Sequence, residues 1–511
     1  MNDHWFRNLL RRRLIVVFLL LAQIALLIYT LLSRSLTSTL ISGFLSFLSI
    51  GVCLHIISNR DKGAFKLTWV FQIMLFPLFG GMFYLFFKLQ SSTRRYRRIA
   101  IRSAAKILGL IDLPGHACTE ACRTAPERAP QIHYLQNHAG FPIFTGSQTR
   151  YLPSGEAMHE SLLEDLRKAE HYIFLEYFIV QEGRMWNTIL DILKEKAREG
   201  VVVRLLYDDM GCFLKLPEDY PKRLREYGID CIVFNPFRPV LSTLQNNRDH
   251  RKIAVIDGTV AYTGGINLAD EYINAVEKHG HWKDVAIRLE GKAAWSFTLM
   301  FLQMWEQCSG VDEDYTAYYP WHHSPCPTPS DGFVQPYADS PMDRENVGEH
   351  VYLQMIGRAK DYVYINTPYL IIDDSMVSAL CLAAKSGVDV RILTPHRWDK
   401  RIVHFTTRSY YRELLQSGVK IYEYTIGFNH AKTFVSDDAV ATVGTTNLDF
   451  RSLYHHFECG TVLYGSRAVM EVKEDFLNTL PICHGITQQE LRSNVFVRMA
   501  QDALRLFAPL M

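Results

Sequence analysis

An α/β protein made of two similar halves behind a set of transmembrane helices is what this sequence predicts, on three observations. The pattern His-x-Lys-x₄-Asp occurs twice, 180 residues apart, each time trailed by an Asn. Helical and strand-like stretches alternate from about residue 130, and the two series echo one another, as in GVVVRLLYDD from residue 200 and GVDVRILTPH from residue 387. Three long apolar runs come before both. A repeat of this length is a duplicated domain rather than a short-period solenoid, and 511 residues suffice for more than one core.

The apolar runs span residues 14–32, 40–57 and 67–87 and contain no charge. At ~1.5 Å per helical residue each approaches the ~30 Å of a hydrocarbon layer. Arg11, Arg12 and Arg13 precede the first, but it is long, lacks a small-residue cleavage site and is followed by further runs, so it is not a signal peptide. Positive charge collects before the first run and after the third, at Lys88, Arg94, Arg95, Arg97, Arg98 and Arg102. Both clusters should stay cytoplasmic, which two spans satisfy and three do not. Pro77 and Gly80-Gly81 give the third run a place to turn back as a re-entrant hairpin; alternatively the first run lies along the interface. In either arrangement the body is cytoplasmic.

Residues 1–90 thus form a membrane region and 91–130 a basic linker. The first half, 131–320, opens with a helix over 155–169. A strand over Tyr172–Val180, a helix over 186–199 and a strand over Val201–Tyr207 follow. Residues 321–332, rich in proline, connect to the second half at 333–485. There a helix near 346–360 precedes a strand at Tyr362–Asn366, and a helix near 374–386 precedes one at Val388–Leu393. Residues 486–511 end in an amphipathic helix that caps the body or dips into the interface.

Charge is divided in the same way. Residues 1–110 carry 15 Lys and Arg against two acids, so the remaining 401 residues sum to −11 in a chain of net charge +2. A basic apolar front on a mildly acidic body suits membrane attachment and argues against nucleic acid as partner. The ten cysteines are scattered singly, as reduced thiols are. His116, Cys118 and Cys122 cluster without a second ligand pair at zinc spacing, so no metal is expected.

The motifs read His250-Arg-Lys252 to Asp257, then Asn267, and His430-Ala-Lys432 to Asp437, then Asn447. Strand alternation puts each His and Lys on one face. If Asp257-Gly258 and Asp437-Asp438 are two-residue hairpin turns, paired residue numbers sum to 515 and 875. His250 then faces Gly265 and His430 faces Thr445, each beside its Asn. Imidazole, ammonium and carboxamide would share a face. Asp257 and Asp437 would sit at the turns, orienting the motif rather than carrying protons. Neutral imidazole is a nucleophile and imidazolium an acid near neutral pH, so a pair can split a phosphodiester with no metal or cofactor. Lys252, Lys432, Asn267 and Asn447 would hold the phosphate oxygens.

These residues resemble the two HKD motifs of the phospholipase D superfamily. The segments NNRDHRKIAVIDG, HWKDVAIRLEG (His281–Gly291), INTPYL (Ile365–Leu370) and NLDFRS (Asn447–Ser452) are similar to its bacterial cardiolipin synthase branch from about residue 38 onward. The resemblance implies two phospholipase D-like halves packed face to face over one active site. It implies that His250 becomes a phosphohistidine while His430 protonates the leaving glycerol and later deprotonates the incoming alcohol. It also implies a downstream acid orienting each His; Asp284 and Glu458 stand at matching distances. The expected reaction joins two phosphatidylglycerol molecules into cardiolipin in a bacterial cell membrane. Hydrolysis, or transfer to another alcohol, is the alternative, because no residue fixes the acceptor. Anionic membrane lipids are the expected partners, and oligomeric state is not legible.

Overall fold

The computed structural model describes residues 36–75, 115–237, 245–322, 329–343, 345–492 and 494–510, with residues 81, 84, 99, 102–103, 106–107 and 109–110. The chain divides into two compact units. One comprises Met1–Thr93, Phe237–Asn246 and Asp502–Met511; the other comprises Arg94–Pro236 and Asn247–Gln501.

In the smaller unit the apolar run 40–57 lies within a helix, Leu36–Ser58, and the run 67–87 begins in a second, Gly63–Leu75. Val52, Ile56, Ile73 and Tyr84 form a small shared core, while Leu40, Phe44, Phe47 and Leu54 remain exposed. The Thr68 hydroxyl donates to the Leu506 carbonyl at 2.8 Å. Among the described residues no helix is long and apolar enough to cross a membrane. The first helix has 23 residues, with Ser46, Ser49 and His55 among its apolar side chains. The second has 13 residues, about 20 Å of rise against a ~30 Å layer. The run 14–32, Pro77 and Gly80, Lys88 and the basic residues at 94, 95, 97 and 98 lie outside the described residues.

The larger unit contains both expected halves. Strands of the first are β1 (Ser147–Leu152), β2 (Tyr172–Tyr177), β3 (Val202–Asp208), β4 (Ile229–Phe234), β5 (Lys252–Ile256), β6 (Val260–Gly264), β7 (His281–Lys283) and β8 (Ala286–Gly291). Those of the second are β9 (Phe333–Asp339), β10 (Tyr362–Asn366), β11 (Leu370–Ile371), β12 (Asp389–Pro395), β13 (Lys420–Tyr424), β14 (Gly427–Asn429), β15 (Thr433–Ser436), β16 (Val440–Gly444), β17 (Leu448–Asp449), β18 (Glu458–Tyr464) and β19 (Cys483–Gly485). The first sheet is ordered β1-β8-β6-β5-β2-β3-β4, and the second, read from β9, is β9-β18-β16-β15-β10-β12-β13-β19. Strand for strand the first seven positions correspond, and so do their senses. β2 and β3 are parallel, as are β10 and β12, while each motif hairpin runs antiparallel to its neighbour. The repeat in the sequence is thus a repeat of topology.

Helices fall close to where periodicity puts them, at Gly155–Arg167, Arg184–Arg198, Val347–Gly357 and Asp374–Lys385. Ser154 starts the first by accepting from the Ala157 amide at 3.2 Å. The predicted strand to Val180 stops at Tyr177. Beyond it Val180 makes one isolated bridge with Leu268. Sequence periodicity passes over the helix Ala294–Ser309, because apolar side chains surround it and leave no polar stripe to count. Phe297, Phe301 and Leu302 on it are fully buried, each worth roughly 1.5–3 kcal/mol of burial. They belong to one core that also joins Val255 and Ala261 of the first sheet to Val435 and Ala441 of the second.

The expected hairpin register is off by one. Ile253 pairs with Thr263 and Ile256 with Val260, and Thr433 pairs with Val443. The pair numbers therefore sum to 516 and 876. The turns are two-residue turns as read, with Asp257, Gly258, Asp437 and Asp438 all at positive φ. An extra residue, Thr259 or Ala439, enters before pairing resumes, as in a bulged hairpin.

Candidate active site

Two short parallel pairings stitch the halves together, and the motif histidines lie at their ends. Asp249 bridges Phe457. The His250 amide donates to the Phe457 carbonyl at 2.9 Å, and the Phe457 amide donates to the Arg248 carbonyl at 2.8 Å. In the other pairing β14 runs beside β7, with Asn429 opposite Lys283, and the His430 amide donates to the Lys283 carbonyl at 2.7 Å. One step further along each pair, an imidazole meets a carboxylate from the opposite half. His250 Nδ1 lies 2.9 and 3.0 Å from the two oxygens of Glu458. His430 Nδ1 lies 2.6 Å from Asp284 Oδ2. Each half orients the other's histidine. A carboxylate acceptor makes Nδ1 the protonated nitrogen and leaves the Nε2 lone pair for chemistry.

Each acid is backed by its own half. The Thr445 hydroxyl donates to Glu458. At the corresponding place in the first half, a Cβ on Gly265 would stand 2.0 Å from Asp284 Oδ1, so only glycine leaves room for that carboxylate. Both lysines reach back over their histidines. Lys252 Nζ donates to the His250 carbonyl at 2.5 Å. Lys432 Nζ donates to the His430 carbonyl and stands 2.8 Å from His430 Nδ1. His250 packs edge-on against Phe178 at 5.1 Å between ring centres, and His430 lies between Tyr272 at 5.7 Å and Trp282 at 5.3 Å. Both motif histidines are 7% exposed.

The two asparagines have protein partners of their own. Asn267 Oδ1 accepts from the Ile179 amide at 3.0 Å, and Nδ2 donates to Tyr272 Oη at 2.7 Å. Asn447 Nδ2 donates to Asp449 at 3.2 Å. Asp257 and Asp437 spend their oxygens on backbone. Asp257 accepts from the amides of Glu170, His171 and Tyr172, each at 2.8 Å. Asp437 accepts from Lys360, Asp361 and Tyr362 at 3.0 to 3.1 Å, and from the buried Arg128 guanidinium at 2.8 Å. Burial raises the Asp437 carboxyl, but these three amides outweigh it and hold the group below its ordinary range. Each Asp pins its hairpin to the start of the neighbouring strand, β2 or β10.

Burial and crowded positive charge favour neutral imidazoles here. Burial, then Lys252, His456 and Lys432, pushes His250 well below the usual imidazole value. Burial and Lys432 push His430 down to about 4 against the pull of Asp284. Burial lowers Lys252 to about 8 and Lys432 to about 7, despite Glu458 and Asp284 nearby. Burial drives Glu458 upward, opposed by Lys252 and the Thr445 hydroxyl. An incoming phosphate anion would restore positive charge to the lysines and to one imidazole.

Motif reading misses several residues that shape this cluster. His456, whose ring centre is 5.6 Å from that of His250, has both ring nitrogens buried without a hydrogen-bond partner. Tyr272 and Phe178 are two others, and Thr445, set opposite His430 by the hairpin arithmetic, acts through Glu458 instead. Among the described residues two groups bring three ligand-type atoms within 4.8 Å of one another: Cys118, Cys122 and His133, and His250, His456 and Glu458. The sequence cluster thus gains His133 in place of His116. At the second group Lys252 and Lys432 disfavour a dication.

Comparison with known proteins places this geometry. Residues 162–290 and 352–480 each match the family described as cardiolipin synthase, PLD-like domain. Residues 47–88 match a phospholipase D-nuclease N-terminal family. A cardiolipin synthase of Geobacillus kaustophilus is 37% identical over 477 residues, 92% of this chain and 94% of that protein. Cardiolipin synthase 2 of Bacillus anthracis is 35% identical over 463 residues, 90% and 89% of the two chains. An uncharacterised Streptococcus mutans protein is 42% identical over 463 residues, 90% of this chain and all of that one. Among solved structures, phosphatidylserine synthase of Haemophilus influenzae aligns with a TM-score of 0.55 at 16% identity, over 73% of this chain and 96% of that one. That likeness shares the fold. The two matched halves and the identity across nine-tenths of the chain establish that this protein belongs to the cardiolipin synthase family of PLD-like proteins.

Proposed function

We propose that this protein is a cardiolipin synthase that transfers a phosphatidyl group from one phosphatidylglycerol to another, releasing glycerol. The observation that carries the chemistry is the crossed pairing of His250 with Glu458 and His430 with Asp284. His250 Nε2 attacks phosphorus, forming a P–N bond as the P–O bond to glycerol breaks. The leaving oxygen takes a proton from His430. The terminal hydroxyl of a second phosphatidylglycerol then gives its proton back to His430 and attacks phosphorus, breaking the P–N bond. Glu458 and Asp284 stabilise whichever ring is positive. Lys252 and Lys432 hold the non-bridging oxygens, Asn267 and Asn447 adding donors, at ~3–4 kcal/mol for a well-placed donor. One phosphodiester replaces another, so no nucleotide or other cofactor is required.

The same reading puts the protein in a bacterial cell membrane as a multi-pass protein with its body on the cytoplasmic side. Its support is the exposed Leu40, Phe44, Phe47 and Leu54, which suit hydrocarbon, and the positive charge of residues 1–110. Incubating the purified protein with phosphatidylglycerol alone tests the acceptor. Cardiolipin and glycerol in equal amounts are expected. Phosphatidic acid as the product would replace the reading with a membrane-bound phospholipase D.

A further inference from the structure

A second concentration of positive charge lies on the larger unit and shares no residue with the paired histidines. The helix Arg401–Gln416 carries Arg401, His404, Arg408 and Arg412 at steps of three and four, hence on one face. That face walls a cavity of ≈ 480 Å³, lined on other sides by Arg492 and by Gln501 of the terminal helix, Val495–Leu506. Arg408 is partly answered by Glu423 at 3.7 Å, and Arg401 lies over the Trp398 ring at 4.5 Å. Among the described residues the Arg412 and Arg492 side chains have no hydrogen bond or ion pair. The acid in the lining, Glu490, is occupied by His484 Nε2 at 2.7 Å and by the Thr487 amide and hydroxyl at 2.7 and 3.0 Å. The cavity is therefore an anion site by charge.

Exposed apolar side chains on the two helices that wall it, with Trp398 in its lining, indicate where the anion comes from. Ile402, next to Arg401, is 61% exposed, and Trp398 is also exposed. On the helix that supplies Gln501, Phe496 and Met499 are 80% and 62% exposed. Guanidiniums on helices that also expose Phe and Ile, with Trp398 under Arg401, match a surface that is anionic outside and hydrocarbon within. A free phosphate ion would answer the arginines and leave Ile402 and Phe496 in water. We propose that this cavity binds the phosphate headgroup of an anionic phospholipid at the bilayer surface, separately from the reacting site. The binding needs no turnover, so it stands apart from the phosphatidyl-transfer reading.

The test is arginine modification by phenylglyoxal on the full chain in nanodiscs, read by mass spectrometry of the labelled peptides. In phosphatidylcholine discs containing phosphatidylglycerol, Arg401, Arg412 and Arg492 should react about tenfold more slowly than in phosphatidylcholine alone. Arg150, exposed on the first sheet, should react equally in both. Equal rates at the three cavity arginines would overturn the proposal. Equal protection by inorganic phosphate in phosphatidylcholine discs would overturn the lipid assignment and make the cavity a site for the free anion.

Discussion

At the scale of single residues, the two imidazoles differ in what they are asked to do. A good leaving group needs no acid, so substrates with one should separate the roles. With a phosphatidyl ester of p-nitrophenol, Glu458→Gln should lose the initial burst of nitrophenolate, because the His250 nucleophile loses its carboxylate. By the same assay Asp284→Asn should keep the burst and lose subsequent turnover, because His430 is needed as base for the second alcohol. Replacing the orienting carboxylate by an amide in a comparable triad costs ~10⁴-fold; bursts equal in both variants would refute the division. The lysines set a pH dependence. With Lys432 at about 7 and Lys252 at about 8, raising the pH removes the charge that holds phosphate. KM for phosphatidylglycerol should therefore rise above pH 7, approaching tenfold per unit for each lysine, in initial-rate measurements from pH 6 to 9. The histidines and lysines were legible because the motif is local and repeated. The crossing of the acids was not, because it depends on pairings such as Asp249 with Phe457 that join residues more than 200 positions apart.

Among the elements, the motif hairpins show how a local pattern can be right in kind and wrong in register. Asp-Gly and Asp-Asp mark the turns, yet one extra residue slips the pairing, and nothing in a two-residue turn signal distinguishes a bulged hairpin from a simple one. The Asp of each motif has its work here. Asp257→Ala removes the acceptor for three backbone amides and puts at φ 51° a residue that tolerates the left-handed region less well than Asp. The cost should be about 2–4 kcal/mol, seen as a lowered midpoint of thermal inactivation, with turnover per folded molecule largely kept at low temperature. A loss of turnover with unchanged thermal behaviour would instead make Asp257 part of the chemistry. The helix Ala294–Ser309 escaped periodicity for the opposite reason, being too apolar to have a face.

For the molecule as a whole, duplication supplies both the fold and the site, and neither half holds a complete catalytic pair. His250 and Asp284 come from one half, His430 and Glu458 from the other, within one chain. Mixing the His250→Ala and His430→Ala proteins should therefore restore no activity, whether assayed in detergent or in shared vesicles; recovery toward half the native rate would mean that halves pair between chains. The fold class and repeat were readable from alternation and echo. The smaller unit was readable only in part: the apolar run 40–57 falls in Leu36–Ser58 and the run 67–87 begins in Gly63–Leu75, but among the described residues no helix is long and apolar enough to cross a membrane.

The reciprocal exchange of carboxylates also bears on how such a protein fails. Glu458 and Asp284 each act across the same seam, so any damage that loosens that seam detunes donor and acceptor steps together. Partial injury should then slow both half-reactions within the same molecule, and neither half can keep its own histidine in tune once the other has shifted.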